Sequence, residues 1–178
     1  DTVFEAKGRI GTPEWSRQVR GTPWYPGEAV SVSIGQGPLL VTVVQLARSF
    51  AMLANGGRPV TPYLVSPQRV PRPDPVVDSE HLALVDAALV GVVHGPRGTA
   101  RRLNAIPMAG KTGTAQVARL QEGVDSDDLA PQLRHHAWFA AWAPPDLPDL
   151  AGAVLAEPGR PARGVAGPLR RPSAARPP

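Results

Sequence analysis

The sequence predicts a domain of the α/β (α+β) class, with two helices followed by three strand-like segments. Three observations carry this. Apolar residues recur with a helical period in two separate stretches, about residues 43–54 and about residues 79–94. Three short apolar runs then follow, at about Met108 to Ala118, Ala137 to Ala143 and Leu150 to Ala156. The last two runs are joined by a short Pro/Asp turn, which predicts that they pair antiparallel.

Residues 1–28 are polar and punctuated by Gly8, Gly11, Pro13, Gly21, Pro23, Pro26 and Gly27, which predicts loop with little regular structure. Val30-Ser31-Val32-Ser33-Ile34 alternates apolar and polar residues, and Gly35-Gln36-Gly37-Pro38 then makes a turn. Thr42 can cap a helix on which Val43, Leu46, Ala47, Phe50, Ala51, Leu53 and Ala54 form the apolar positions. Asn55-Gly56-Gly57 stops that helix. Residues 57–77 carry six prolines and read as loop, with a short extended piece at Tyr63-Leu64-Val65. Asp78 or Ser79 caps the next helix, Glu80 suits its positive end, and Leu82, Val85, Leu89, Val92 and Val93 share one face. Gly95-Pro96-Arg97-Gly98 ends it. The polar stretch from Arg119 to His136 reads as a long excursion between the first two strands, with a helical turn near Asp127–Leu133.

Composition bounds the function classes. A chain of 178 residues with 42% hydrophobic content holds one domain with a core. With no cysteine, disulfides and thiolate metal sites are excluded. No run of about 18 apolar residues crosses a bilayer, and Asp1-Thr2-Val3-Phe4-Glu5 is not a signal peptide; a first residue other than Met suggests a chain that begins within a gene. The net charge of +4 is not spread over the chain. Residues 1–156 balance, with 14 Lys/Arg and 14 Asp/Glu, while the tail holds Arg160, Arg163, Arg170, Arg171 and Arg176 against Glu157 alone. That tail has no aromatic residue, which argues against a nucleic-acid platform.

The densest chemistry lies in Ala109-Gly110-Lys111-Thr112-Gly113-Thr114-Ala115-Gln116. On a strand, Lys111 and Gly113 share one side while Thr112 and Thr114 share the other. Gly113 removes a side chain where a ligand backbone must lie close. A strand edge can pair with an extended peptide through main-chain hydrogen bonds. This is a peptide-binding strand with hydroxyls for a terminal carboxylate and a nearby positive charge. The tetrapeptide alone also reads as an ordinary strand opening with a solvated lysine.

The context of that strand resembles the transpeptidase domain of class B penicillin-binding proteins, whose third motif is K-T-G, and within it the elongation-type penicillin-binding protein 2 group. The resemblance rests on Gly27-Glu28, Ser33-Ile34-Gly35-Gln36-Gly37, Gln45-Leu46-Ala47, Leu53-Ala54-Asn55-Gly56-Gly57 with Pro62, Gly98-Thr99-Ala100, Ala109 to Val117, and Leu133-Arg134-His135-His136-Ala137-Trp138-Phe139 with Ala143-Pro144. Together these cover roughly residues 24–156. The resemblance implies a β-lactamase/transpeptidase-like fold, an antiparallel sheet with helices on its faces. It implies a serine enzyme that attacks the D-Ala-D-Ala end of a peptidoglycan stem peptide, forms an acyl-enzyme and cross-links it to a neighbouring amine. β-Lactams would acylate the same serine. Thr112 and Thr114 would bind the substrate carboxylate, Lys111 would supply positive potential, Gly113 would admit the ligand, and the Thr114 backbone N–H would be half of the oxyanion hole. No cofactor is implied. The expected partners are the stem peptide and β-lactams, with cell-elongation membrane proteins for the full protein and no nucleic acid. The expected location is the bacterial inner membrane, with the domain in the periplasm.

The family's other two motifs are absent from this sequence. Phe4 and Met108 stand three residues before Lys7 and Lys111, so there is no S-x-x-K, and no serine is followed two residues later by asparagine. The nucleophile and its lysine are therefore expected upstream, and this chain is expected to be a portion that is inactive alone. The transpeptidase portion is expected to end at residue 157. The family's terminal helix is replaced by a disordered basic segment, 158–178, that begins Pro158-Gly159-Arg160-Pro161. The abrupt shift suggests a frameshift in a GC-rich gene or a misassembled read; a natural basic tail is the other explanation. A reading from another class is a non-catalytic interaction module whose tail engages an acidic partner or anionic lipid.

Other motifs carry less. Ala105 stands where a P-loop needs glycine, and strand rather than helix follows Lys111-Thr112. His81, His94, His135 and His136 lack metal-ligand spacing, so no metal is expected. Trp138 and Trp142 lie on one strand face and read as core; Asp125, Asp127 and Asp128 read as a solvated loop.

Overall fold

The computed structural model describes residues 6–65, 71–115 and 135–156. The expected strand continuation at 116–118, the helical turn near Asp127–Leu133, the acidic loop and the basic tail lie outside the described residues.

The N-terminal region departs from the expected loop. Thr12 caps a short helix α1, Pro13–Trp15, its hydroxyl accepting from the Trp15 N–H at 3.1 Å, with Pro13 at the first helical position. A π-helical turn, Ser16–Arg20, continues it and ends at Gly21, whose φ of 67° needs glycine. Helix α2, Pro26–Ser33, replaces the alternating segment at 30–34. Its start is fixed by Pro26 and by Glu28, whose carboxylate accepts from the Tyr25 N–H at 2.9 Å. The serines in the alternation do not face solvent across a sheet. Their hydroxyls donate to backbone carbonyls of the same helix, Ser31 to Gly27 at 3.1 Å and Ser33 to Val30 at 2.8 Å.

Helix α3, Val43–Ala54, matches the sequence prediction. Thr42 and Gln45 form a reciprocal capping box, with bonds of 3.1 and 3.0 Å, and Gly56 and Gly57 adopt positive φ beyond its end. The expected extended piece at Tyr63-Leu64-Val65 is exposed and ends in a bend, with no strand beside it among the described residues. Helix α4, Ser79–His94, is capped by Asp78, whose carboxylate accepts from the N–H groups of Glu80 and His81. Leu82, Leu89 and Val93 are buried on it, while Val85, expected on the same face, is exposed.

Strands β1 (Ala109–Ala115), β2 (His136–Ala143) and β3 (Leu150–Ala156) form an antiparallel sheet in the order β1-β2-β3. The register pairs Gly113 with Trp138 and Ala140 with Ala153. Residues directly opposite share a face, so the sheet has two apolar sides. On one, Ala109, Trp142 and Ala151 pack with Phe50, Leu53 and Ala54 of α3 and with Leu89 and Val90 of α4; the rings of Phe50 and Trp142 are 5.9 Å apart. On the other, Phe139, Ala141 and Ala143 pack with Met108, Val92, Val93 and Ala100. Trp142 is buried as expected, while Trp138 is only half-buried. Among the described residues no helix is long and apolar enough to cross a membrane.

Candidate functional site

The candidate site is the outer half of β1. The strand enters the sheet through Ala109 and Gly110, both buried. Glycine at 110 lets the strands pack closely, because a Cβ there would sit 2.9 Å from Phe139 Cζ and 3.0 Å from Ala141 Cβ and would have to displace them. The strand then emerges, with Lys111, Gly113 and Thr114 exposed and Thr112 half-buried. The register places Lys111 and Gly113 on one face and Thr112 and Thr114 on the other, as the alternation predicts. A Cβ on Gly113 would meet nothing closer than Trp138 Cβ at 3.4 Å. Among the described residues no group demands glycine there.

Three contacts shape this edge. The Thr99 and Thr112 hydroxyls lie 2.7 Å apart. Thr99 is held there by the turn that follows α4, where the Ala100 N–H donates to the Val92 carbonyl at 3.0 Å. Gly98 lets the chain turn so close to the helix, since a Cβ would collide with the Val92 carbonyl oxygen. The Lys111 ammonium folds back and donates to the Thr112 carbonyl at 2.6 Å. The Gln36 side-chain amide donates to the Thr114 carbonyl at 2.8 Å.

That last bond fixes the direction of the strand's backbone groups. In an antiparallel pair a residue sends its N–H and C=O to the same side, and the side alternates along the strand. Thr114 receives Gln36 from outside the sheet. Its N–H and C=O, and those of Thr112, therefore face the outer edge, where β1 has no strand neighbour among the described residues. The edge offers two N–H donors, two carbonyls already engaged by side chains, and the hydroxyls of Thr112 and Thr114. It can hold an extended chain, an anionic group or a developing oxyanion.

Gln36 and Thr99 belong to the site although the sequence reading gave them no role. The signal was present for Gln36: it sits between Gly35 and Gly37, at φ of 80° and 69°, and its N–H donates to the Ser31 carbonyl at 2.8 Å. That geometry is a rigid turn that presents one side chain. A concavity of about 570 Å³, lined by Asn55, Arg58, Pro71, Arg72 and Pro73, lies at the C-terminal end of α3 and includes none of these groups. Among the described residues no three His, Asp or Glu side chains gather as a metal site would require.

Comparison with known proteins gives concordant results. The model of the penicillin binding protein transpeptidase domain matches residues 2–174. The peptidoglycan D,D-transpeptidase MrdA of Acinetobacter baumannii is 34% identical over 173 residues, 90% of this chain and 26% of that protein. The MrdA of Haemophilus influenzae is 35% identical over 183 residues, 94% of this chain and 28% of that protein. The chain thus spans about a quarter of the length of these relatives. Among solved structures, Pseudomonas aeruginosa PBP2 in complex with WCK 5153 has a TM-score of 0.72 and 37% identity, covering 91% of this chain and 36% of that one. The complex of PBP2 and MreC from Helicobacter pylori has a TM-score of 0.75 and 28% identity, covering 87% of this chain and 28% of that one. The helices and sheet have the transpeptidase-type α/β fold that the sequence predicts.

Proposed function

The chain belongs to the penicillin-binding protein transpeptidase domain family, and we propose that it is the C-terminal portion of an elongation-type peptidoglycan D,D-transpeptidase. The observation that carries this is the outer edge of β1, where the Thr114 N–H and the Thr112 and Thr114 hydroxyls stand beside Lys111, and where among the described residues only Trp138 Cβ comes near a Cβ placed on Gly113.

In this reading a serine outside the 178 residues attacks the carbonyl between the two D-alanines of a stem peptide. The terminal D-alanine leaves, and an amine from a neighbouring stem takes the acyl group. This chain supplies the other wall. The Thr114 N–H donates to the oxygen that becomes negative in the tetrahedral intermediate, a donor placed before reaction and therefore cheap to use. The Thr112 and Thr114 hydroxyls donate to the terminal carboxylate, and the Lys111 ammonium lowers the electrostatic cost of bringing that anion to the edge. Thr99 holds the Thr112 hydroxyl at 2.7 Å and so limits its rotation. A β-lactam presents the same carboxylate and carbonyl and takes the same place.

The full protein would sit in the bacterial inner membrane with this domain in the periplasm. The complex of the Helicobacter relative with MreC supports a cell-elongation membrane protein as partner. The division near residue 157 is part of the proposal, although the family match runs on to residue 174. The test is covalent labelling by fluorescent penicillin. The 178-residue chain alone should remain unlabelled, and the full-length gene product should label. A full-length product that stays unlabelled overturns the proposal.

A further inference from the structure

The Thr114 carbonyl is the acceptor on the outer edge of β1 that an extended ligand would use for its own N–H. In the structure it is already engaged, 2.8 Å from the Gln36 amide nitrogen. A glutamine side chain ends in a carboxamide, the same donor chemistry as a peptide N–H. It reaches this acceptor across 78 residues of sequence from a turn with little freedom. Gly35 and Gly37 take positive φ, and the Gln36 N–H is tied to the Ser31 carbonyl. The turn therefore aims one carboxamide at one carbonyl. Its base, by contrast, is loosely packed: α2 has no buried residue, and Ile34, next to the turn, is 70% exposed. Rotating the Gln36 side chain away would uncover no core.

We infer that Gln36 is a specificity-determining residue of this edge: its carboxamide stands in for a ligand backbone N–H at the Thr114 carbonyl, and an incoming ligand displaces it. Ligands that bring an N–H of their own to that position recover the lost hydrogen bond; ligands without one leave the carbonyl to Gln36 or to water. The turn so favours peptide-like acyl groups over others. This inference rests on the acyl-transfer reading above and adds to it a discriminating residue.

The experiment compares acylation rates of the full-length protein by two β-lactams. One carries an acylamino N–H beside the lactam carbonyl, and the other carries only hydrogen at that position and so brings no donor. Gln36→Ala removes the competing donor. It should speed acylation by the acylamino probe by about three- to tenfold, the worth of one net hydrogen bond, and leave the unsubstituted probe unchanged. Gln36→Asn, which withdraws the carboxamide by one methylene, should give the same pattern and serves if the alanine variant does not fold. A glutamine that merely braces β1 would move both rates alike, and that result, or no change with either probe, overturns the inference. If neither probe labels the unsubstituted protein, the acyl-transfer reading itself falls and this inference with it.

Discussion

The sheet with α3 and α4 is held by apolar burial, whereas the N-terminal segment from Gly8 to Gln36 is held by polar contacts. In the first region Leu89, Val93, Ala109, Ala140 and Trp142 are buried. In the second, Ser16 is the buried side chain among the described residues. Its hydroxyl donates to the Thr22 carbonyl at 2.8 Å and accepts from the Arg20 guanidinium at 2.6 Å; Arg20 also pairs with Glu28 at 2.6 Å. Arg9 and Arg20 stack on the Trp15 ring at 4.7 and 5.1 Å from its centroid. Ile10, Val30 and Ile34 are exposed around this knot. Both regions build the candidate site. The apolar region fixes where the β1 edge lies, and the polar region brings Gln36 to it through contacts that can be exchanged without opening the core.

Trp142→Ala should disrupt the apolar region most. It leaves a cavity against Phe50 and Ala109 and should cost about 3–5 kcal/mol, enough to unfold the sheet; the readout is denaturant unfolding followed by fluorescence. Gly110→Val drives side-chain atoms into Phe139 and should cost about 1–3 kcal/mol, with the same readout. In the polar region Ser16→Ala should cost about 1 kcal/mol and act locally. Amide exchange should quicken from residue 12 to residue 36 and stay slow in β1–β3; equal quickening everywhere would contradict the division.

Smaller effects follow from pH. The backbone N–H of Tyr25, and then Arg20, hold the Glu28 carboxyl below its ordinary value of 4.5, against a partial opposing effect of desolvation. Its stabilisation is therefore complete above that value and is lost as the pH falls through the lowered one, so acid should loosen α2 before it affects the sheet. Asp86 behaves oppositely. Burial raises its carboxyl above 3.8, and its Oδ1 has no hydrogen-bond partner among the described residues. Its charged form weakens the fold as the pH rises through the raised value. Asp86→Asn should thus raise the melting temperature at neutral pH, and the gain should vanish in acid below that ordinary value.

The apolar region was the legible one. Thr42 and Asn55-Gly56-Gly57 bracket α3 because capping and left-handed stops are local chemistry. The three strands and the Lys111–Thr114 run could be read for the same reason, as each is a short pattern closed on itself. Helix α2 was misread because apolar residues at 30, 32 and 34 fit a strand as well as a short helix; Pro26 and Glu28 at its first turn were the signals that decide it. The short helix at Pro13 was missed although Thr12-Pro13-Glu14 is a helix start. The Gln36 contact joins groups 78 residues apart, and no local period encodes such a pair. The Thr99–Thr112 contact depends on how closely Gly98 lets the chain approach α4, which is a property of the packed fold.

Substitution at Thr114 separates the edge N–H from the hydroxyl beside it. Thr114→Pro deletes the outward N–H of β1 at a position where an edge strand tolerates proline, and Thr114→Ala controls for the lost hydroxyl. In the full-length protein the proline variant should acylate with penicillin about 10²–10³ times more slowly than the alanine variant, with an unchanged melting temperature. Equal rates for the two variants would show that the Thr114 N–H does not stabilise the reacting oxygen, and the edge would lose its assigned chemistry.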